Sequence, residues 1–131
     1  AHALRAAALG VDAMEISQGL RGNYYSETEF RIGINHRKHE AYFREWTQTI
    51  SRQSAVPLIL VGGLRSVDLM EAVVGGKLAD LVALSRPLIR EPDLIDRWQQ
   101  GDSRPSRCIS CNRCFEALLE GNRLFCASKE R

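Results

Sequence analysis

Two apolar runs in the middle of the chain constrain its fold more than any other feature. Leu58-Ile59-Leu60-Val61 sets four apolar residues in a row, and Leu78–Leu84 is a second, mostly apolar stretch. A run without apolar/polar alternation is buried on both faces, as strands of a parallel sheet are. Parallel strands need a crossover, and the interval supplies one. Ser66 can cap a helix there, with Asp68 in its first turn to complement the dipole. Met70, Val73 and Val74 give that helix an apolar face, and Gly75-Gly76 ends it.

The flanking segments repeat the pattern. Ala1–Leu9 is rich in alanine and leucine and stops at Gly10, which reads as a helix and its terminator. Val11–Ser17 reads as a buried strand. Residues 18–39 show no period and hold Tyr24, Tyr25 and a basic group of Arg31, His36, Arg37, Lys38 and His39. A connection of that length is either functional, such as a lid, or a solvated loop; His36 and His39 are expected to be solvated. From Glu40 to Gln53, Phe43, Trp46 and Ile50 fall on one helix face. Ser85-Arg86-Pro87 ends the second apolar run, and Pro92 suits the first turn of a last helix with Leu94, Ile95 and Trp98 inward, closed by Gly101. Strands alternating with helices predict an α/β fold with right-handed βαβ units. Residues 1–101 form that unit, and residues 102–131 are a polar linker followed by a cysteine-rich tail.

Composition narrows the function. The 131 residues carry 18 Lys+Arg against 16 Asp+Glu, a net charge of +2, so no strong field for nucleic acid or membranes is implied. With 44% hydrophobic residues the chain can build a core. No apolar run approaches the roughly 20 residues of a membrane span. The opening AHALRAAALG lacks the layout of a secretory signal, and the cysteines are clustered rather than scattered. A cytoplasmic location is expected.

In parallel α/β folds, ligands sit beyond the carboxyl ends of the strands. Gly62 and Gly63 end the first run just before a helix, so an anion could approach their N–H groups. Ser85 and Arg86 end the second run, a small residue and then a guanidinium able to grip a phosphate. Together they would make a phosphate cup; separately they read as a tight turn and a surface charge. In the tail, Cys108, Cys111 and Cys114 are spaced by two residues, and Cys126 follows after eleven more. Four such thiolates suit a 4Fe–4S cluster or a structural zinc, with the C-x2-C-x2-C run favouring the cluster. Unliganded thiols and adventitious disulfides are the alternatives.

VPLILVGGLRS, ADLVALSRPLIREPDL and RCISCNRCF, in that order, resemble the C-terminal part of the old yellow enzyme family, the NADH:flavin oxidoreductases. GVDAMEIS and AYFREW resemble the units preceding it. The cysteine motif is similar to that of the branch containing 2,4-dienoyl-CoA reductase and trimethylamine dehydrogenase. The resemblance implies an FMN-bearing (β/α)8 TIM barrel, with Ala13–Ser17, Leu58–Val61 and Leu78–Leu84 as strands six to eight. It implies FMN-phosphate binding at Gly62, Gly63, Ser85 and Arg86, and a 4Fe–4S cluster at Cys108, Cys111, Cys114 and Cys126.

The departures are as informative. Such a barrel takes about 250 residues, and three strands are visible where eight are needed. The family's substrate-binding pair and proton-donating tyrosine belong to the missing part, and no catalytic residue is assigned. Ser85 stands where the family usually has a smaller residue. No G-x-G-x-x-G of a further nucleotide-binding domain occurs. The expected parent passes hydride from NAD(P)H through FMN to an activated alkene or related small-molecule acceptor. The chain alone is expected to be inactive and, with open sheet edges, to form homo-oligomers. A non-catalytic self-associating module and a small iron–sulfur carrier are the rival readings.

Overall fold

The computed structural model describes residues 2–17 and 31–128. Tyr24, Tyr25 and most of the long connection lie outside the described residues. The elements in order are α1 (His2–Ala8), β1 (Met14–Ile16), a 3-10 turn (Arg37–His39), α2 (Arg44–Ser51), β2 (Leu58–Leu60), α3 (Val67–Gly75) and β3 (Leu81–Val82). Three shorter helices follow: α4 (Arg86–Arg90), α5 (Leu94–Gln99) and α6 (Arg113–Leu119).

The strands form a three-stranded sheet in the order β1-β2-β3. Both pairings are parallel, with Ile16 opposite Leu60 and Leu60 opposite Val82. The unalternating run thus lies at the centre of the sheet, where Leu58 and Leu60 are buried. Leu60 joins Phe43, Leu64, Met70, Val73 and Leu78 in one core. Asp80, the polar residue inside the second run, has a local task. Its carboxylate accepts from the Leu58 N–H at 2.8 Å, and its own N–H donates to the Leu58 carbonyl at 2.9 Å. It therefore satisfies backbone groups where β2 begins.

Several sequence expectations shift. Ser66 makes no side-chain cap of α3. Glu40 does that work from a distant segment, accepting from the N–H groups of Arg65 and Ser66 at 2.8 and 2.9 Å and from the Ser66 hydroxyl at 2.7 Å. A carboxylate at the start of a helix is favoured by its dipole. Leu69 replaces Val74 on the buried face of α3, and Trp46 and Ile95 are exposed. Trp46 instead stacks on the buried Phe43 ring at 5.6 Å. The segment after β3 does not simply stop at Pro87, because Pro sits in the first turn of α4. The cysteine tail is not all loop, since α6 carries Cys114.

Residues 102–107 are held against the α/β unit. The Arg65 guanidinium donates to the Ser106 carbonyl, and Ser106 N–H returns a bond to the Arg65 carbonyl at 2.9 Å. Buried Glu91 accepts from the Ser106 hydroxyl at 2.8 Å, from Arg107 N–H at 2.6 Å and from the Arg97 guanidinium at 3.2 Å. Among the described residues no helix is long and apolar enough to cross a membrane.

Candidate functional site

The ends of β2 and β3 open into one cavity of about 380 Å³. Gly62, Gly63, Ser85 and Arg86 all line it. The topology brings them together: β2 and β3 are adjacent and parallel, so the loops leaving them emerge side by side.

The glycines are required on two counts. Both have positive φ, +115° and +69°, a region that L side chains rarely enter. Both also lie under an aromatic ring. A Cβ on Gly62 would come within 2.8 Å of Tyr42 Cε2, and one on Gly63 within 2.8 Å of Tyr42 Cε1. Among the described residues neither glycine N–H donates a backbone hydrogen bond, which leaves the donors an anion needs. The α3 start offers less than its position suggests, because Glu40 already holds the N–H groups of Arg65 and Ser66.

Arg86 is fixed rather than free. Its Nη1 donates to the Asn112 side-chain carbonyl at 2.5 Å and to the Arg31 backbone carbonyl at 2.9 Å. Asn112 is buried and left-handed, with φ of +62°, a conformation asparagine tolerates better than most residues. Asn112, Ser110 and Cys114 line the same cavity. The tail therefore forms a wall of the site, with Ser110 tied back by its carbonyl to the Gly33 N–H at 3.3 Å. Tyr42, Asn112 and Glu40 were not found from the sequence. Their types are common on surfaces, and only the fold sets them beside the glycines and Arg86. Asn112 alone carried a hint, lying between two of the clustered cysteines.

The four cysteines are free thiols, each partly buried. Their donor chemistry suits a thiolate-bound metal or cluster. Among the described residues no group of three or more His, Cys, Asp or Glu side chains is placed to hold a metal ion. The thiols have other partners: Cys108 accepts from the Ser110 N–H at 3.5 Å, Cys111 contacts the Ser128 hydroxyl at 3.0 Å, and Cys126 accepts from Arg90 at 3.4 Å. Burial pushes the Cys108 and Cys114 thiols up. At Cys111 burial acts the same way, but hydrogen bonds led by Ser128 outweigh it and the thiol is lowered. His36 and His39 are exposed, one just before and one at the end of the 3-10 turn, with their rings edge to face at 6.1 Å.

No family model matches the chain. It is 31% identical over 84 residues to a 4,4'-dithiodibutanoate disulfide reductase of Rhodococcus erythropolis, covering 64% of this chain and 21% of that protein. It is 35% identical over 91 residues to the NADH-dependent flavin oxidoreductase iccE of Talaromyces variabilis, covering 63% of this chain and 21% of the relative. Among solved structures it is similar to the 6-hydroxypseudooxynicotine amine oxidase of Pseudomonas geniculata N1. The TM-score is 0.67 at 20% identity, over 87% of this chain and 16% of that one. The structural likeness shows the fold alone: a mixed α/β unit with a small parallel sheet. The chain spans about a fifth of the length of these curated relatives. The resemblance to the NADH:flavin oxidoreductases is borne out by relatives of that name.

Proposed function

We propose that the chain is the C-terminal part of an FMN-dependent, NAD(P)H-oxidising enzyme, with β1, β2 and β3 as the sixth to eighth barrel strands. The observation that carries this reading is the meeting of Gly62, Gly63, Ser85 and Arg86 in one cavity at the strand ends. The residues fit a flavin phosphate: two glycine N–H groups without a backbone acceptor among the described residues, and a guanidinium held in the cavity wall. When bound, FMN supplies hydride transfer between a nicotinamide cofactor and an electron-poor alkene or related acceptor. The chain's own residues position it. Gly62 and Gly63 donate from the backbone, Ser85 offers a hydroxyl, and Arg86 presents its charge in the orientation set by Asn112.

FMN titration into the purified chain, followed by flavin fluorescence, tests the phosphate role. Binding that competes with inorganic phosphate and weakens at least about tenfold in Arg86→Gln supports it. Binding that phosphate leaves unchanged, or no binding at all, rejects it for this chain. Turnover with NADH or NADPH is expected to be absent from the chain alone, which spans about a fifth of its curated relatives. Iron and acid-labile sulfide assays on anaerobic protein test the ligand role of Cys108, Cys111, Cys114 and Cys126.

A second reading, a self-associating module without cofactor, has one observation in its favour. Leu81 in the edge strand β3 is 56% exposed. Such an edge recruits another strand, from the rest of a barrel or from a second copy. A monomer that binds FMN counts against it.

A further inference from the structure

A second cavity, of about 970 Å³, adjoins the first, and Tyr42 lines both. Its walls carry Arg31, Lys38 and His39, from the basic segment that the flavin reading leaves unused, and Arg44 from the start of α2. Basic side chains on a surface are ordinarily solvated charges and need no ligand. Arg31 is different. Its guanidinium lies over the Tyr42 ring, 4.6 Å from the centroid, with the Phe43 ring at 5.7 Å. Its Nε is buried and, among the described residues, has no hydrogen-bond partner. Its carbonyl is held by Arg86 at 2.9 Å, which fixes the backbone beneath the stack.

A buried donor without an acceptor costs on the order of 1–3 kcal/mol unless something occupies it. A guanidinium presents its donors in one plane, the geometry of paired bonds to a phosphate. The neighbouring charges point the same way. Among the described residues Arg31, Lys38 and Arg44 have no ion-pair partner, while Arg37 pairs with Asp68. Of the two wall carboxylates, Glu40 is taken by Arg65 and Ser66, which leaves Glu45 against three cations.

We propose that this cavity binds the phosphate or pyrophosphate group of a second ligand, with Arg31 as its principal contact and Lys38 and Arg44 as supporting charges. Two sources share that chemistry, a nucleotide and a phosphorylated substrate. The site stands whether or not the neighbouring cavity holds a flavin.

The test is calorimetric titration of inorganic pyrophosphate and of ADP into the purified chain at low and moderate salt. Saturable binding that weakens with salt is expected, reduced at least about tenfold in Arg31→Gln and less in Arg31→Lys. The double variant Lys38→Ala/Arg44→Ala changes only exposed side chains, so it keeps the fold, and is expected to weaken binding about threefold or more. Tighter binding of ADP than of pyrophosphate assigns a nucleotide; equal binding assigns a phosphate ester in general. Absence of binding to the native chain overturns the proposal. So does binding that neither Arg31→Gln nor the double variant changes, which would place the anion at the strand-end cavity.

Discussion

Arg65 and Ser106, 41 residues apart, hold each other by three hydrogen bonds. Arg65 Nε and Nη2 reach the Ser106 carbonyl at 3.1 and 2.5 Å, and the Ser106 N–H returns to the Arg65 carbonyl at 2.9 Å. Each residue is bound in turn to a buried carboxylate, Arg65 N–H to Glu40 and the Ser106 hydroxyl to Glu91. A continuous polar chain thus ties the loop after β2 to the start of the cysteine tail. Replacing Arg65 by Met keeps the stem and removes the donors. It is expected to cost about 2 kcal/mol, because the buried Ser106 carbonyl loses a charged partner. Urea unfolding checks this, and hydrogen exchange should show lost protection first in residues 106–112.

Glu91 is the anchor of that chain on the tail side. Burial alone would raise its pKa, but the Arg107 N–H, the Ser106 hydroxyl and the Arg107 guanidinium outweigh burial and hold it below the usual range. A depressed folded-state value makes the unfolded chain bind the proton more tightly. The Glu91 contribution is therefore complete above the ordinary glutamate range and is lost as pH falls through the depressed value. Glu91→Gln is expected to destabilise the protein at pH 7 by about 3 kcal/mol, since Arg97 and Arg107 lose their acceptor. The difference from wild type should shrink as pH falls below the ordinary glutamate range and through the depressed value, which denaturant midpoints measured across acid pH will show.

Gly62→Ala and Gly63→Ala carry two penalties, positive φ and collision with Tyr42. Each is expected to cost about 2–4 kcal/mol. Combining Gly63→Ala with Tyr42→Ala should recover the steric part and leave the backbone part. A double-mutant cycle read by thermal unfolding separates them; simple additivity would show that the ring is not the obstacle.

Asn112 has a backbone role and a side-chain role. Asn112→Gly keeps the left-handed conformation and removes the Arg86 contact, whereas Asn112→Ala loses both. Alanine is therefore expected to be less stable than glycine by about 1 kcal/mol. Any FMN affinity should fall equally in the two variants, since both remove the Asn112 contact of Arg86 and leave only the Arg31 carbonyl to hold it.

What the sequence determined by itself was local and periodic. Runs without alternation at Leu58–Val61 and Leu78–Leu84 announced parallel strands, and the sheet holds both, although shorter; Leu58 and Leu60 are buried as expected, whereas Leu81 in the edge strand β3 is exposed. Helix existence was legible from spacing, but the buried face was not: Val74 and Ile95 fit the period and remain exposed. The glycine pair and Ser85-Arg86 could be nominated because strand ends are where parallel sheets place ligands. That they share one cavity is a fact of the parallel β2–β3 pairing.

Only the tertiary structure decided who surrounds them. Glu40 displaced Ser66 as the cap of α3, Asn112 took the Arg86 guanidinium, and Tyr42 closed over the glycines. Each partner lies at least 20 residues from its target. Single-chain periodicity reports that an element has an apolar face, and only roughly which residues of it are buried. It carries no record of which distant donor, acceptor or ring will meet that face, because such pairings are chosen by the close packing of the whole core.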